Sequence, residues 1–288
     1  MSDEKEFLKS YNIKKYEQPS AAADIAVFTV KNIPDDNYRK LDGKKLCLLM
    51  IKRGRPPFTD HFALPGGFAK KNETVDDTAL RELFEETSVE NIYLSQLKTT
   101  STPGRDPRGW IISCGYLALV DSTKLSVKSG DDAADALWFE VSYKQVSSEM
   151  RENEKLTRYR LELTNGDNKL SADITERISL GASGREYSVT AENSEGIAFD
   201  HGEIIAYAIT ELRRKTVYEG AAFSLLPEYF TMTDLRQVYD TIMDVKESDA
   251  NFRRKMSGFV CLTDETQGGM GHRPSKLYKR NIEAFLNI

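Results

Sequence analysis

Residues 67–89 read GFAKKNETVDDTALRELFEETSV, and this stretch decides how the chain is read. Gly67 is followed after five residues by Glu73, and after seven more by Arg81-Glu82, with Glu85-Glu86 close behind. From Thr74 to Thr87 there is no Pro or Gly, and Ala79, Leu80, Leu83 and Phe84 recur at helical spacing, which predicts an amphipathic helix. Thr74 or Asn72 can cap its start, with Asp76 and Asp77 favouring the dipole in the first turn. On such a helix Glu82, Glu85 and Glu86 share one face and repel one another. A hard divalent cation, Mg²⁺ or Mn²⁺, removes that penalty through oxygen ligands. Arg81 stands four positions before Glu85 and can fork onto its carboxylate, with Glu73 as a second partner. A solvated acidic face explains most Glu runs. Here it leaves unexplained Leu64-Pro65-Gly66-Gly67 directly before the helix, where glycines let backbone approach a ligand.

The spacing resembles the box of the Nudix (MutT-like) hydrolases, G-x5-E-x7-R-E-U-x-E-E-x-G-U, with U aliphatic. Eight of its nine specified positions agree; the exception is Ser88, where the family has Gly. The resemblance implies an α/β fold, an α/β/α sandwich around a mixed sheet, and Mg²⁺ or Mn²⁺ held by Glu82, Glu85 and Glu86, with the Gly67 carbonyl as a further ligand. Arg81 and Glu73 would orient the glutamates. The implied reaction is metal-assisted hydrolysis of a nucleoside diphosphate linked to another moiety. The box leaves the general base open: Glu85, or an acid among Asp131, Asp132 and Asp135 in SGDDAAD, a loop that reads equally as a capped turn. Ser88 falls at the helix exit, where Gly supplies a left-handed residue.

Outward from the helix, DIAVFTV (24–30) and KLCLLMIK (45–52) read as buried strands, with 91–97, 110–120 and 136–141 as further strands. The loop STPGRDPRGW (101–110) concentrates Arg105 and Arg108. It reads either as a solvated turn or, beside a diphosphate, as a phosphate clamp. Residues at about 145–200 read as a β-rich insertion with a hairpin at Asn165-Gly166, one that extends the sheet surface or serves dimerisation. EIIAYAITELRRKTVY (203–218) is an amphipathic helix that closes a first domain at 1–218.

The remaining 219–288 differ in charge. The chain of 288 residues carries a net charge of −5, yet Lys246–Arg280 alone is +4. Thr231 with Asp234 starts one helix, and Ser248 caps a second, SDANFRRKM; FVCLTDE and KLYKR then flank a Gly-rich loop. That is the layout of a winged helix-turn-helix, with Asn251, Arg253, Arg254 and Lys255 on the second helix and Arg273 on the wing as candidate contacts to double-stranded DNA. The alternative is a small appendage whose basic residues are ordinary solvation. With the box, this tail resembles the Nudix-related transcriptional regulators of NAD metabolism. In that group the Nudix domain senses ADP-ribose or related nucleotides, and the winged helix binds operator DNA as a homodimer. Two functions are therefore expected: an ADP-ribose pyrophosphatase releasing AMP and a sugar phosphate, ranked first, and a nucleotide-sensing DNA-binding regulator.

Composition sets bounds. Hydrophobic residues make up 40% and charged residues 30%, as in ordinary soluble proteins. The polar start MSDEKEFLKSYNIKKY gives no signal peptide, and no apolar run spans a membrane. Cys47, Cys114 and Cys261 are scattered and odd in number, so a cytoplasmic setting is expected. The histidines, His61, His201 and His272, form no metal pattern by spacing.

Overall fold

In the computed structural model, residues 2–33, 43–90, 92–125, 136–182, 184–269 and 272–286 are described. Asp131, Asp132 and Asp135 lie outside them. The elements run α1 (Ser2–Ser10), β1 (Ser20–Ile33), β2 (Gly43–Lys52), β3 (Phe62–Ala63), β4 (Gly66–Phe68), α2 (Val75–Thr87), β5 (Tyr93–Thr100) and β6 (Ile111–Leu119). Then come β7 (Ala136–Arg151), β8 (Glu154–Asn165), β9 (Asn168–Gly181), β10 (Gly184–Glu195) and α3 (His201–Tyr218). The chain ends with α4 (Met232–Met243), α5 (Asp249–Met256), β11 (Val260–Gly269), β12 (His272–Arg280) and α6 (Ile282–Leu286).

Strands β1 to β10 form one mixed sheet in the order β10-β9-β8-β7-β2-β1-β6-β5, with β3 on β2 and β4 on β1. Among the described strands only β1 and β6 pair in parallel, from Ser20↔Ile111 to Phe28↔Leu119. Their apolar residues are buried on both faces, as expected of strands covered by helices above and below. On one face, Ala79 and Leu83 of α2 pack against Ile25, Val27 and Tyr116. On the other, Ile204, Ile205, Ala208, Ile209 and Leu212 of α3 join the larger core. Full burial of Leu83 stabilises the docking by about 1.5–3 kcal/mol. The stripe on α2 is narrower than its sequence suggests: Leu80 and Phe84 are each 49% exposed, because they lie one residue further round the helix than Ala79 and Leu83.

The segment expected as an insertion is a meander that widens this same sheet. Strand β7 pairs with β2 over Ala136–Glu140 and with β8 from Glu140 onward. Asn165 and Asn168 close the β8–β9 hairpin around Gly166, whose φ of 54° suits a turn glycine. Under this meander Glu176 is buried and accepts hydrogen bonds from Tyr143 Oη (2.9 Å) and from Thr210 Oγ1 (2.7 Å) of α3.

The C-terminal elements dock on the sheet through α4. Thr231 and Asp234 form a reciprocal capping box at its start. Thr241 Oγ1 reaches the Lys44 carbonyl (3.4 Å), Arg213 Nε donates to the Ile242 carbonyl (3.0 Å), and Lys144 pairs with Asp244 (2.5 Å). No helix among the described residues is long and apolar enough to cross a membrane.

Candidate functional site

Gly66 and Gly67 sit on β4, hydrogen-bonded to β1, and bring the backbone under the acidic face of α2. Thr74 caps α2 in a box with Asp77, which fixes where the helix starts and which face it presents. A side chain at Gly67 would begin 2.2 Å from Glu82 Oε1, so the absence of a Cβ is what lets that carboxylate lie against the loop. Arg81 organises the rest. Its Nε and Nη2 fork onto Glu73 (2.9 and 3.1 Å), and Nη2 also reaches the Phe68 carbonyl (3.3 Å). Its Nη1 meets Glu82 and, at 3.5 Å, Glu85. The fork expected on Glu85 is therefore made with Glu73 instead. Hydrogen bonds from Arg81 hold the Glu73 carboxyl down to about 2, so this partner stays ionised in ordinary buffers. Among the described residues, no three His, Cys, Asp or Glu side chains converge as a ready metal cage. The donor set nevertheless suits a hard cation: carboxylates of Glu82, Glu85 and Glu86 on one helix, with the Gly67 backbone against Glu82.

A cleft of about 190 Å³ opens beside Gly66 and Gly67, lined in part by Asp24, Arg53, Arg105, Arg108, Phe199 and His201. Of the two arginines expected as a clamp, Arg105 is committed elsewhere. Its side chain is 5% exposed and bonds bidentately to Asp200 (2.8 and 2.7 Å) and to Asp24 (3.2 Å). Burial alone would weaken Arg105 as a base; the bonds to Asp200 and Asp24 reverse that sign. Arg108 is 43% exposed, pairs with Asp106 (2.6 Å) and lies over the rings of Phe68 and Phe199. His201 is fully enclosed. The Leu64 backbone N–H donates to its Nδ1 (2.8 Å), so the neutral ring carries its proton on Nε2, 3.6 Å from Asp24 Oδ1. Burial lowers its pKa below the ordinary histidine value. Asp24, Arg53, Phe199, Asp200 and His201 have no local motif; strand pairing and the start of α3 bring them together.

In the C-terminal part, Ser248 caps α5, and Phe252 and Met256 anchor it. Asn251, Arg253 and Arg254 are exposed on its outer side. Lys255 instead folds back, donating to Tyr239 Oη (2.5 Å) with its ammonium over that ring. Arg273 falls on β12 next to the Gly269↔His272 pair; its side chain lies outside the described residues.

Comparison with known proteins agrees with both halves. Residues 38–158 match the NUDIX domain, and residues 222–279 match the NrtR DNA-binding winged helix domain. The chain is 36% identical over 141 residues to an ADP-ribose pyrophosphatase of Methanocaldococcus jannaschii, covering 48% of this chain and 73% of that protein. It is 28% identical to the ADPR responsive transcriptional repressor NtrR of Acinetobacter baylyi, over 99% of this chain and 91% of that one. Among solved structures, a MutT/nudix family protein from Enterococcus faecalis superposes with a TM-score of 0.63 at 27% identity, covering 97% of this chain and 98% of that one. The Shewanella oneidensis NrtR bound to a 27mer DNA shares the fold, with a TM-score of 0.62 at 22% identity over 92% and 95% of the two chains. The acidic helix on its glycine loop and the capped helix pair behind it thus place the chain in the Nudix family, with an NrtR-type winged helix as its C-terminal part.

Proposed function

We propose that the protein is a divalent-metal-dependent hydrolase of ADP-ribose, releasing AMP and ribose 5-phosphate. The observation that carries this reading is the complete carboxylate set of α2, with Glu82 seated against the Gly67 backbone. Glu82, Glu85, Glu86 and the Gly67 carbonyl would hold Mg²⁺ or Mn²⁺, which when bound neutralises phosphate oxygens and acidifies a water. Arg81 and Glu73 keep the glutamates aimed. Glu85, 53% exposed, takes the proton of the attacking water as the bridging P–O bond breaks. The identity to a pyrophosphatase of that substrate supports the choice of ADP-ribose. The test is Glu86→Gln: Mg²⁺-dependent release of AMP falls by about 100-fold or more. A variant as fast as the unmodified chain shows the metal assignment to be wrong.

The exposed Asn251, Arg253 and Arg254 favour a second role for the same molecule. Residues 219–288 form a winged helix that binds double-stranded DNA as part of a homodimer. Residues 1–218 form the nucleotide-responsive domain. Similarity over nearly the full chain to an ADPR responsive repressor supports this role.

A further inference from the structure

With Arg105 locked between two aspartates, the cleft still contains a cation that sequence reading passed over. Arg53 lies at the base of the turn joining β2 to β3, where its backbone N–H donates to the His61 carbonyl (2.8 Å) and its carbonyl accepts from Asp60 (2.8 Å). Its Nε donates to the Pro57 carbonyl (2.8 Å), which spends one donor and holds the guanidinium plane. The guanidinium carbon stands 4.8 Å from the centre of the Phe199 ring. Among the described residues no carboxylate forms an ion pair with Arg53, whereas Arg105 and Arg108 both have one. Burial weakens Arg53 as a base and the Arg108 guanidinium nearby weakens it further, an effect the Asp106 carboxylate offsets only in part. The ring beneath it is held firmly. Phe199 occupies the left-handed region at φ 54°, packs on Phe58 at 4.8 Å, and follows Ala198, whose N–H bonds the Phe62 carbonyl. An aromatic residue keeps such a backbone conformation only when its surroundings enforce it, and such residues cluster at ligand clamps.

We propose that Arg53, backed by Phe199, is the diphosphate-binding cation of this cleft, and that Arg105 is a buried structural pair. A planar guanidinium that lines a cleft with one donor already fixed suits two phosphate oxygens at once. A partly desolvated cation facing a second cation gains most when a polyanion enters between them. The inference rests on the nucleotide reading only for the remainder of the ligand.

The test measures affinity by calorimetry in EDTA, so that metal held by the glutamates contributes nothing. Inorganic pyrophosphate, ADP and ADP-ribose are titrated into the unmodified chain, Arg53→Ala and Arg53→Lys. Arg53→Ala weakens all three about tenfold or more, and Arg53→Lys recovers part of the loss, since an ammonium keeps the charge but not the fork. Wild-type affinity for pyrophosphate and ADP in Arg53→Ala overturns the inference and leaves the nucleotide reading standing. If the unmodified chain binds pyrophosphate but neither ADP nor ADP-ribose, the nucleotide reading falls and the anion site stands. An unmodified chain that binds none of them overturns both. Partial recovery in Arg53→Lys assigns the loss in Arg53→Ala to the missing cation rather than to misfolding, whereas an equal loss in both variants overturns the inference.

Discussion

At the scale of single residues, Ser88 is the departure from the Nudix pattern, and its backbone shows what that departure costs. Ser88 ends α2 in the left-handed region (φ 54°, ψ 23°), with its N–H on the Phe84 carbonyl. The geometry a glycine would supply is kept, and a serine bears the strain. Ser88→Gly should therefore stabilise the fold by about 1 kcal/mol, read as a rise in Tm of about 2–4 °C, with no change in the carboxylates. A Tm unchanged or lowered would show that the Ser88 side chain repays its own strain. The relations among the box residues are legible in the sequence, because a helix fixes them over one or two turns. The places of Arg53 and His201 are not: Arg53 reaches the cleft through strand pairing, from 14 residues before Gly67, and His201 at the start of α3, from 134 residues after it.

At the scale of elements, α3 begins inside the cleft. Asp200 precedes its first turn but makes no capping bond through its side chain, because that carboxylate is spent on Arg105. His201, the next residue, ties the same turn to Leu64 of the glycine loop. Burial depresses the pKa of His201 in the fold, so below its ordinary value of 6.5 the unfolded chain binds the extra proton. The stability this group contributes is complete above that value and is lost as pH falls through it toward the folded pKa. Denaturant midpoints measured between pH 7.5 and 5 should fall for the unmodified chain. They should fall less steeply for His201→Gln, whose amide oxygen can still accept from Leu64 but does not titrate. Parallel slopes would place the pH dependence elsewhere. The strands show what sequence reveals at this scale. Alternation around Asn165-Gly166 marks the β8–β9 hairpin because its contacts are local. That this segment extends the sheet was one of two readings its sequence allowed; which strand it joins was not legible, since that depends on Ala136–Glu140 lying beside β2, far away in sequence.

At the scale of the whole molecule, one helix bridges two chemistries. The α3 helix starts at the cleft and, 18 residues later, ends beside α4, where Arg213 holds the Ile242 carbonyl. Eighteen residues span about 27 Å of rigid rod. Under the proposed regulatory role, the outward arginines of α5 are the contacts to DNA. Arg253→Ala with Arg254→Ala should weaken duplex binding across sequences and flatten its dependence on salt by about two phosphate contacts' worth of slope. Gel-shift titrations at several salt concentrations decide it; an unchanged slope excludes α5 as the contact helix. The charge imbalance that separates Lys246–Arg280 from the rest was visible in the sequence. The turning of Lys255 onto Tyr239 was not, because it depends on how α5 leans on α4.

The central position of β1 bears on the order in which the molecule assembles. Its parallel neighbour β6 begins 91 residues later, at Ile111 opposite Ser20, so the middle of the sheet is joined by a long loop whose closure is slow. The meander from β7 to β10 needs only hairpin closures and can zip early. During synthesis β1 is the first strand to emerge and can pair with β2 and β4 on one edge, while the edge it later gives to β6 stays open until residues 111–119 are made.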